Sequence, residues 1–148
     1  MRDLANNTNT VSVLDPVVIT ADNNPSGIDL QGFESAVFSV QTGIEGDTLS
    51  GSVKFDFILQ DSDDNSSFSV VTGSTNTTGK GVDSSGIFLT LDANGETPQI
   101  QTIGYIGGKR YARVVIDATG THSNGTPMAI TCTKGNPQDA TDAYSVNT

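Results

Sequence analysis

A chain of 148 residues predicts one domain with a sizeable hydrophobic core. Its 17 acidic and 7 basic residues give a formal net charge of -10, which argues against general binding to nucleic acid or to an anionic membrane surface. Apolar content is modest at 34%, Trp is absent, and Asn, Ser, Thr and Gly separate short apolar runs, a composition typical of β-proteins.

The first half of the chain predicts a polar arm followed by short strands. Residues 1–10 form the arm, and residues 11–20 form a β-type run that Asp15-Pro16 interrupts. Proline cannot donate to a strand ladder, so this run is expected at a sheet edge. Residues 36–40 read as a buried strand. The run SVKFDFILQ then alternates, with these residues facing inward: Val53, Phe55, Phe57 and Leu59.

The second half begins with the turn DSDDNSS, after which residues 68–71 are expected to return as a hairpin partner. Residues 73–85 read as an exposed loop, and residues 87–91 as a short strand. Two further β-type runs flank Gly107-Gly108, which predicts a tight hairpin whose glycines have positive φ. The second run alternates, with these residues on its core face: Ala112, Val114, Ile116 and Ala118.

These elements predict an all-β fold. About eight short strands with no helical period fit an antiparallel β-sandwich or jelly roll. The last predicted strand covers residues 126–133, and the domain is expected to span residues 11–135. An extended tail, residues 136–148, then follows the arm and the domain.

The acidic turn is the strongest candidate for a metal site. Asp61, Asp63 and Asn65 stand at alternate positions, as in the first half of a calcium loop. Ser66 replaces the usual glycine, and Thr72 replaces the usual bidentate glutamate. The turn is therefore interpreted as a hairpin turn, with weak divalent binding as the alternative, and no cofactor is expected.

Several of the few basic and aromatic residues concentrate just after Gly107-Gly108. Lys109, Arg110, Tyr111 and Arg113 form a candidate partner-binding patch in an otherwise acidic protein. Such a patch favours an acidic surface on a partner or on another copy of the chain. Cross-strand pairing with carboxylates such as Asp56 or Asp117 is the alternative, and the sequence leaves the two open.

Catalysis is not expected. Cys132 is the only cysteine, and its apolar flanks predict a small buried side chain. His122 lies in the turn-like tract THSNG, and no third residue marks an orienting partner for a Cys–His pair. A Cys132/His122 hydrolase is therefore the last of the functions considered.

Five phrases along the chain resemble a family of small virion proteins of tailed bacteriophages, described as capsid decoration, cement or stabilising proteins. The resemblance spans roughly residues 2–138, departing at 73–85 and after 138. The phrases are RDLANNT, GIDLQGFESAVFSV, LQDSDDNSSFSVV, IGYIGGKRYARVVIDATGT and KGNPQ.

The resemblance implies a β-rich structural protein that binds the outside of an expanded HK97-type shell. The implied partner is the major capsid protein, and the implied assembly is a small homo-oligomer, with a trimer favoured. The arm and the tail would be grafting elements that add strands to neighbouring subunits. The residues expected to contact partners there are Arg2, Asp3, Leu4, Tyr144 and Val146.

The expected location is the outer capsid surface of the virion, after synthesis in the host cytoplasm. The N-terminus has no apolar signal-peptide region, and no apolar run approaches membrane-spanning length. Two other functions are considered besides the enzyme. One is a tail or connector protein, and the other is a module that binds carbohydrate or a host surface.

Overall fold

In a computed structural model, which describes residues 3–138, the chain forms two antiparallel β-sheets and the described residues contain no helix. Ten strands occur in this part of the chain. They are β1 (Thr8–Ile19), β2 (Ile28–Asp29), β3 (Phe33–Thr42), β4 (Lys54–Ser62), β5 (Ser69–Val70), β6 (Thr77–Thr78), β7 (Ile87–Leu91), β8 (Gln99–Tyr105), β9 (Tyr111–Thr119) and β10 (Thr126–Pro137).

The strand order is that of a jelly roll. The first sheet has the order β1-β10-β3-β8-β6, and the second has β2-β9-β4-β5, with β7 also paired to β4. Without the two-residue strands β5 and β6, the orders are 1-10-3-8 and 2-9-4-7, so the chain passes repeatedly between the sheets. The predicted all-β sandwich is confirmed, and the short strands β2 and β6, which the sequence analysis did not name, bring the number within residues 3–138 to ten in place of about eight.

Alternation along the strands builds the core between the two sheets. Phe55, Phe57 and Leu59 of β4 are fully buried, as their period of two predicts. They meet side chains of the first sheet such as Phe38 and Ile130, which are also fully buried. Each such side chain contributes roughly 1.5–3 kcal/mol of hydrophobic stabilisation.

β1 is the edge strand that Asp15-Pro16 predicts. It pairs only with β10, and its register shifts between Ser12 and Leu14 and again between Leu14 and Val17. Pro16 therefore sits in an irregular stretch, where its missing N–H costs no regular ladder bond. The strand also begins earlier than expected, because Thr8 and the next two residues of the predicted arm already pair with β10.

The hairpin predicted at Gly107-Gly108 is wrong. β8 pairs with β3 in the first sheet, whereas β9 pairs with β4 in the second, so these residues carry the chain from one sheet to the other. Neither glycine has a positive φ. Gly107 has a different reason to lack a side chain, because an added Cβ would lie 2.5 Å from the Tyr105 ring.

Smaller differences concern the second half of the chain. The segment predicted as an exposed loop, residues 73–85, contains β6, which pairs with the end of β8. β10 continues to Pro137, beyond the predicted end of the last strand. The expected hairpin after the acidic turn is confirmed, since β5 pairs with Gln60 and Asp61 of β4.

Candidate functional site

The predicted basic patch lies along the start of β9, where each of its cations already has a partner within the chain. Arg110 forms a bidentate pair with Asp29, with Nε–Oδ1 and Nη2–Oδ2 distances of 3.0 and 2.7 Å. This contact lowers the pKa of Asp29. Lys109 forms an ion pair with Asp63 across 3.2 Å. Two of the three cations are therefore neutralised by carboxylates.

Arg113 is held by neutral groups rather than by an acid. Its Nε donates to the side-chain oxygen of Gln60, at 2.9 Å, and its Nη1 donates to the carbonyl of Pro25, at 3.1 Å. The guanidinium also lies 3.8 Å from the centroid of the Phe68 ring. Burial lowers the pKa of Arg113. The side chain thus ties two loops to the second sheet.

The cations of the patch pair within the chain, but with Asp63, Asp29 and Gln60 in place of Asp56 or Asp117. Asp56 instead accepts from Lys54 and from the hydroxyl of Thr90. Tyr111 is half-buried and lies 5.2 Å from the Arg110 guanidinium. Lys109 and Arg110 are thus paired with carboxylates, whereas the side chain of Arg113 is fixed by neutral acceptors.

A buried polar pair that the sequence analysis missed lies beside the patch. Tyr105 is 1% exposed, and its hydroxyl donates to Oδ2 of Asp61 at 2.9 Å while accepting from the backbone N–H of Lys109 at 3.3 Å. Burial and the nearby carboxylate raise the pKa of Tyr105. The alternation of β4 contained the signal, because Asp61 follows Leu59 on the same inward face.

The acidic turn does not gather its candidate ligands around one point. Asp61 accepts from Tyr105, Asp63 faces Lys109, and the side-chain oxygen of Asn65 accepts from the N–H of Gly27. Within residues 3–138, no group of three or more His, Cys, Asp or Glu side chains could hold a metal ion.

Asp64, which was not among the candidate ligands, organises this turn. Its Oδ1 accepts from the hydroxyl of Ser62 and from the N–H groups of Ser66 and Ser67, at 2.7–2.9 Å. These bonds lower its pKa. The turn thus has the side-chain-to-backbone bonding that is typical of Asp in turns, as the hairpin interpretation expects.

Cys132 and His122, the two residues of the hydrolase alternative, are both buried. Cys132 is fully buried on β10, as predicted, and burial raises the pKa of its thiol to about 12. A thiol with that pKa is almost entirely protonated near neutral pH and is a weak nucleophile. His122 is buried, stacks on Phe55 at a centroid distance of 4.0 Å, and its Nε2 lies 3.0 Å from the carbonyl of Thr119.

The arm contributes two candidate contact residues to the described part of the chain. Asp3 accepts hydrogen bonds from the backbone and side chain of Asn6, which closes a local turn. Leu4 is exposed on this turn. Arg2 precedes the described residues, and Tyr144 and Val146 follow them, so these three candidates lie outside the structure's description.

The outer face of the first sheet is a further candidate surface. Cross-strand pairs set its residues side by side, for example Ser12, Thr131, Ser39 and Thr102 in one row across four strands. None of its residues is ionisable, and Asp15 stands only at its β1 margin. We call it the neutral face, made of Thr10, Ser12, Val37, Ser39, Gln41, Ile100, Thr102, Ala129, Thr131 and Thr133.

The outer face of the second sheet differs sharply in charge. Asp56 and Asp117 stand opposite each other on β4 and β9, with Lys54 two residues from Asp56 and Arg113 four residues from Asp117. The pKa of Asp117 is raised by burial and by the neighbouring carboxylates of Asp22 and Asp56. The centre of this outer face thus carries charges, whereas the charges on strands of the first sheet, such as Asp15 and Glu34, stand outside the neutral face.

A cavity of about 500 Å³ lies at one end of the sandwich. Phe33 and Tyr105 line it together with Lys109, Arg110 and Gln138, and the backbone N–H of Gln138 donates to the carbonyl of Gly32.

Among residues 3–138, no helix is long and apolar enough to cross a membrane. No protein-family model matches the chain, and a search of curated proteins finds no match.

Proposed function

We propose that this protein is a structural virion protein that binds the outer surface of an HK97-type phage capsid and stabilises it as a decoration or cement protein. The observation that carries the proposal is the neutral face, which extends over four strands without an ionisable side chain in a chain with a net charge of -10. The resemblance of five sequence phrases to such virion proteins supports it. Jelly rolls are also common in viral capsid proteins.

The physical argument concerns the cost of removing a surface from water. Ionised side chains are expensive to bury without partners, whereas hydroxyl groups can exchange bonds with water for bonds with a protein surface. Four strands at roughly 4.8 Å spacing make a face about 15–20 Å wide. The neutral face therefore suits a broad, flat partner such as the major capsid protein.

The paired charges of the patch favour the neutral face over the patch as the docking surface. An acidic partner that contacts Arg110 or Lys109 would compete with Asp29 or Asp63 for the same cation. A partner on the neutral face meets no such competition. Individually weak contacts then sum over the many copies on a shell, which stabilises the boundaries between capsomers.

The test measures binding to expanded heads that lack this protein, prepared from a phage that encodes it. Purified protein is added, and occupancy is followed by co-sedimentation and cryo-electron microscopy. Thr131→Lys places a charge in the middle of the neutral face, and Thr119→Lys makes the same change at an exposed position of the second sheet. We expect Thr131→Lys to weaken binding by about tenfold or more and Thr119→Lys to leave it unchanged.

Other outcomes assign other functions. Bare shells, with the protein found at the portal vertex or tail, would indicate a tail or connector protein. Loss of binding only when Lys109, Arg110 and Arg113 are replaced would return the docking surface to the patch. The grafting role of the arm is tested by deleting residues 2–7, which stops short of β1.

A further inference from the structure

The two edges of the first sheet are built differently. The β1 edge contains Pro16 and two register shifts, which are devices that discourage another strand from pairing there. At the opposite edge, β6 pairs only with Gly104 and Tyr105 of β8. Within residues 3–138, no strand pairs with the outer side of residues 99–103.

No strand within residues 3–138 pairs with the outward backbone groups of this edge of β8. The carbonyl of Thr102 accepts from the side-chain amide of Gln101 at 3.0 Å and keeps a second lone pair for a further bond. On the inner side, the N–H of Gln99 donates to the Thr42 hydroxyl of β3, and on the outer side the N–H of Ile106 donates to the carbonyl of Asn76. Backbone groups alternate in direction along a strand, so those of Ile100 and Thr102 point outward. Ile100 is 66% exposed.

The residues on this edge carry none of the usual protection. Residues 99–103 read QIQTI, with no charge, proline or glycine. A chain with a net charge of -10 repels its own copies at most other approaches. This segment lets two copies come into contact without bringing ionised side chains on the strands together.

We propose that two copies of this chain pair through the β8 edge. In a two-fold antiparallel arrangement centred on Gln101, Ile100 of one copy stands opposite Thr102 of the other. The outward N–H and C=O groups of both residues then form ladder bonds with the partner copy. The two first sheets join into one continuous sheet, and the two neutral faces lie side by side.

This inference does not rest on the proposed function, since the contact involves only the chain itself. A two-fold contact closes with two copies, so it predicts a dimer in place of the trimer that the resemblance implies. The contact is small, and contacts below about 1,200 Å² are typical of weak association. The dimer is therefore expected to dissociate on dilution.

Sedimentation equilibrium of the full chain at roughly 10 μM to 1 mM tests the dimer. Thr102→Pro removes one outward N–H without removing a bond to β3, and Ile100→Lys places a charge on the edge. Ile44→Lys is the matched control, because Ile44 is exposed on a loop. We expect both edge variants to raise the dimer dissociation constant by about tenfold or more and the control to leave it unchanged.

Three results would overturn the inference: a monomer across the whole range, a trimer, or a dimer that both edge variants leave intact. Far-UV circular dichroism and thermal melting check that each variant folds, and Ile100→Lys keeps the test valid if Thr102→Pro does not fold. Thr131→Lys should dimerise normally while binding shells weakly. Ile100 and Thr102 belong to the neutral face as well as to the edge, so shell binding is not used to judge the edge variants. Thr131 lies two strands away from β8, and its variant therefore separates failure of one proposal from failure of the other.

Discussion

At the scale of single residues, the contact between Tyr105 and Asp61 is the most consequential polar feature of the core. Asp61 is 7% exposed, and its carboxylate receives the hydroxyl of a tyrosine that is itself fully enclosed. A buried polar group that loses its partner costs more than an average hydrogen bond contributes. The pair also connects the two sheets, because Asp61 lies on β4 and Tyr105 on β8.

We predict that Tyr105→Phe destabilises the protein by about 1–3 kcal/mol, because it leaves Asp61 buried without this donor. Chemical denaturation at neutral pH measures the change. Tyr111→Phe is the control, since that ring is half-buried on an outer face, and its effect should stay within about 0.5 kcal/mol. Equal effects of the two substitutions would contradict the argument.

The same pair predicts a pH dependence. The raised pKa of Tyr105 means that folding favours its protonated form, so its contribution to stability is complete below the unfolded pKa of about 10. As pH rises above that value, the unfolded chain releases the proton and the contribution is lost. The stability difference between the wild type and Tyr105→Phe should therefore narrow above about pH 10.

Asp117 is a residue at which a charge opposes folding. Its raised pKa shows that the folded protein disfavours the ionised form next to Asp22 and Asp56. The destabilisation is complete above the folded pKa and disappears as pH falls below the unfolded value near 3.9. Asp117→Asn should stabilise the protein by ~0.5 kcal/mol at pH 7 and low salt, with no gain near pH 3.

Thermal melts at the two pH values check this prediction. Glu34→Gln is the matched control, because it removes the same charge from an exposed position of the first sheet. A gain of the same size in Glu34→Gln would mean that net charge, rather than the neighbours of Asp117, determines the effect.

At the scale of elements, the alternation of apolar residues predicts which face of a strand is buried better than it predicts which strands pair with each other. The alternation of Phe55, Phe57 and Leu59 identifies the inward side of β4, because each contact follows from the geometry of one strand. Gly107-Gly108 could not be interpreted in the same way. Two adjacent strands predict a hairpin or a crossing between sheets equally well, and their pairing depends on β3 and β4, more than forty residues earlier.

The glycines that do require positive φ lie elsewhere. Gly125 has a φ of 73°, and an added Cβ would lie 2.5 Å from the carbonyl oxygen of Ile19. Gly125→Ala should therefore cost about 2 kcal/mol or more, through backbone strain and the close contact. Gly108→Ala should be neutral within about 0.5 kcal/mol or slightly stabilising, because an added Cβ there would meet nothing within 4 Å.

Denaturation midpoints of the two variants check the comparison. A large loss of stability in Gly108→Ala would contradict this comparison and would favour the tight turn with positive φ that the sequence predicts at Gly107-Gly108. A neutral Gly125→Ala would show that the loop before β10 can shift to accept a side chain.

At the scale of the whole molecule, the candidate surfaces depend on contacts that one strand cannot reveal. The sequence identifies Arg113 as an outward cation, but its partner Pro25 is 88 residues away, so the contact that fixes its side chain follows only from the fold. The neutral face is likewise dispersed over four strands. Each strand contributes two or three uncharged outward residues, and only the jelly-roll order places them together.

The high net charge of the chain and the uncharged β8 edge together predict how self-association depends on salt concentration. Two copies with a net charge of -10 repel each other, and salt screens that repulsion over a Debye length of about 10 Å at 0.1 M. If uncharged β8 edges form the contact, raising sodium chloride from about 0.05 to 0.5 M should tighten the dimer. A contact made by the basic patch on acidic residues of a second copy would weaken over the same range. Sedimentation equilibrium at the two salt concentrations decides between them, because the two surfaces predict opposite signs.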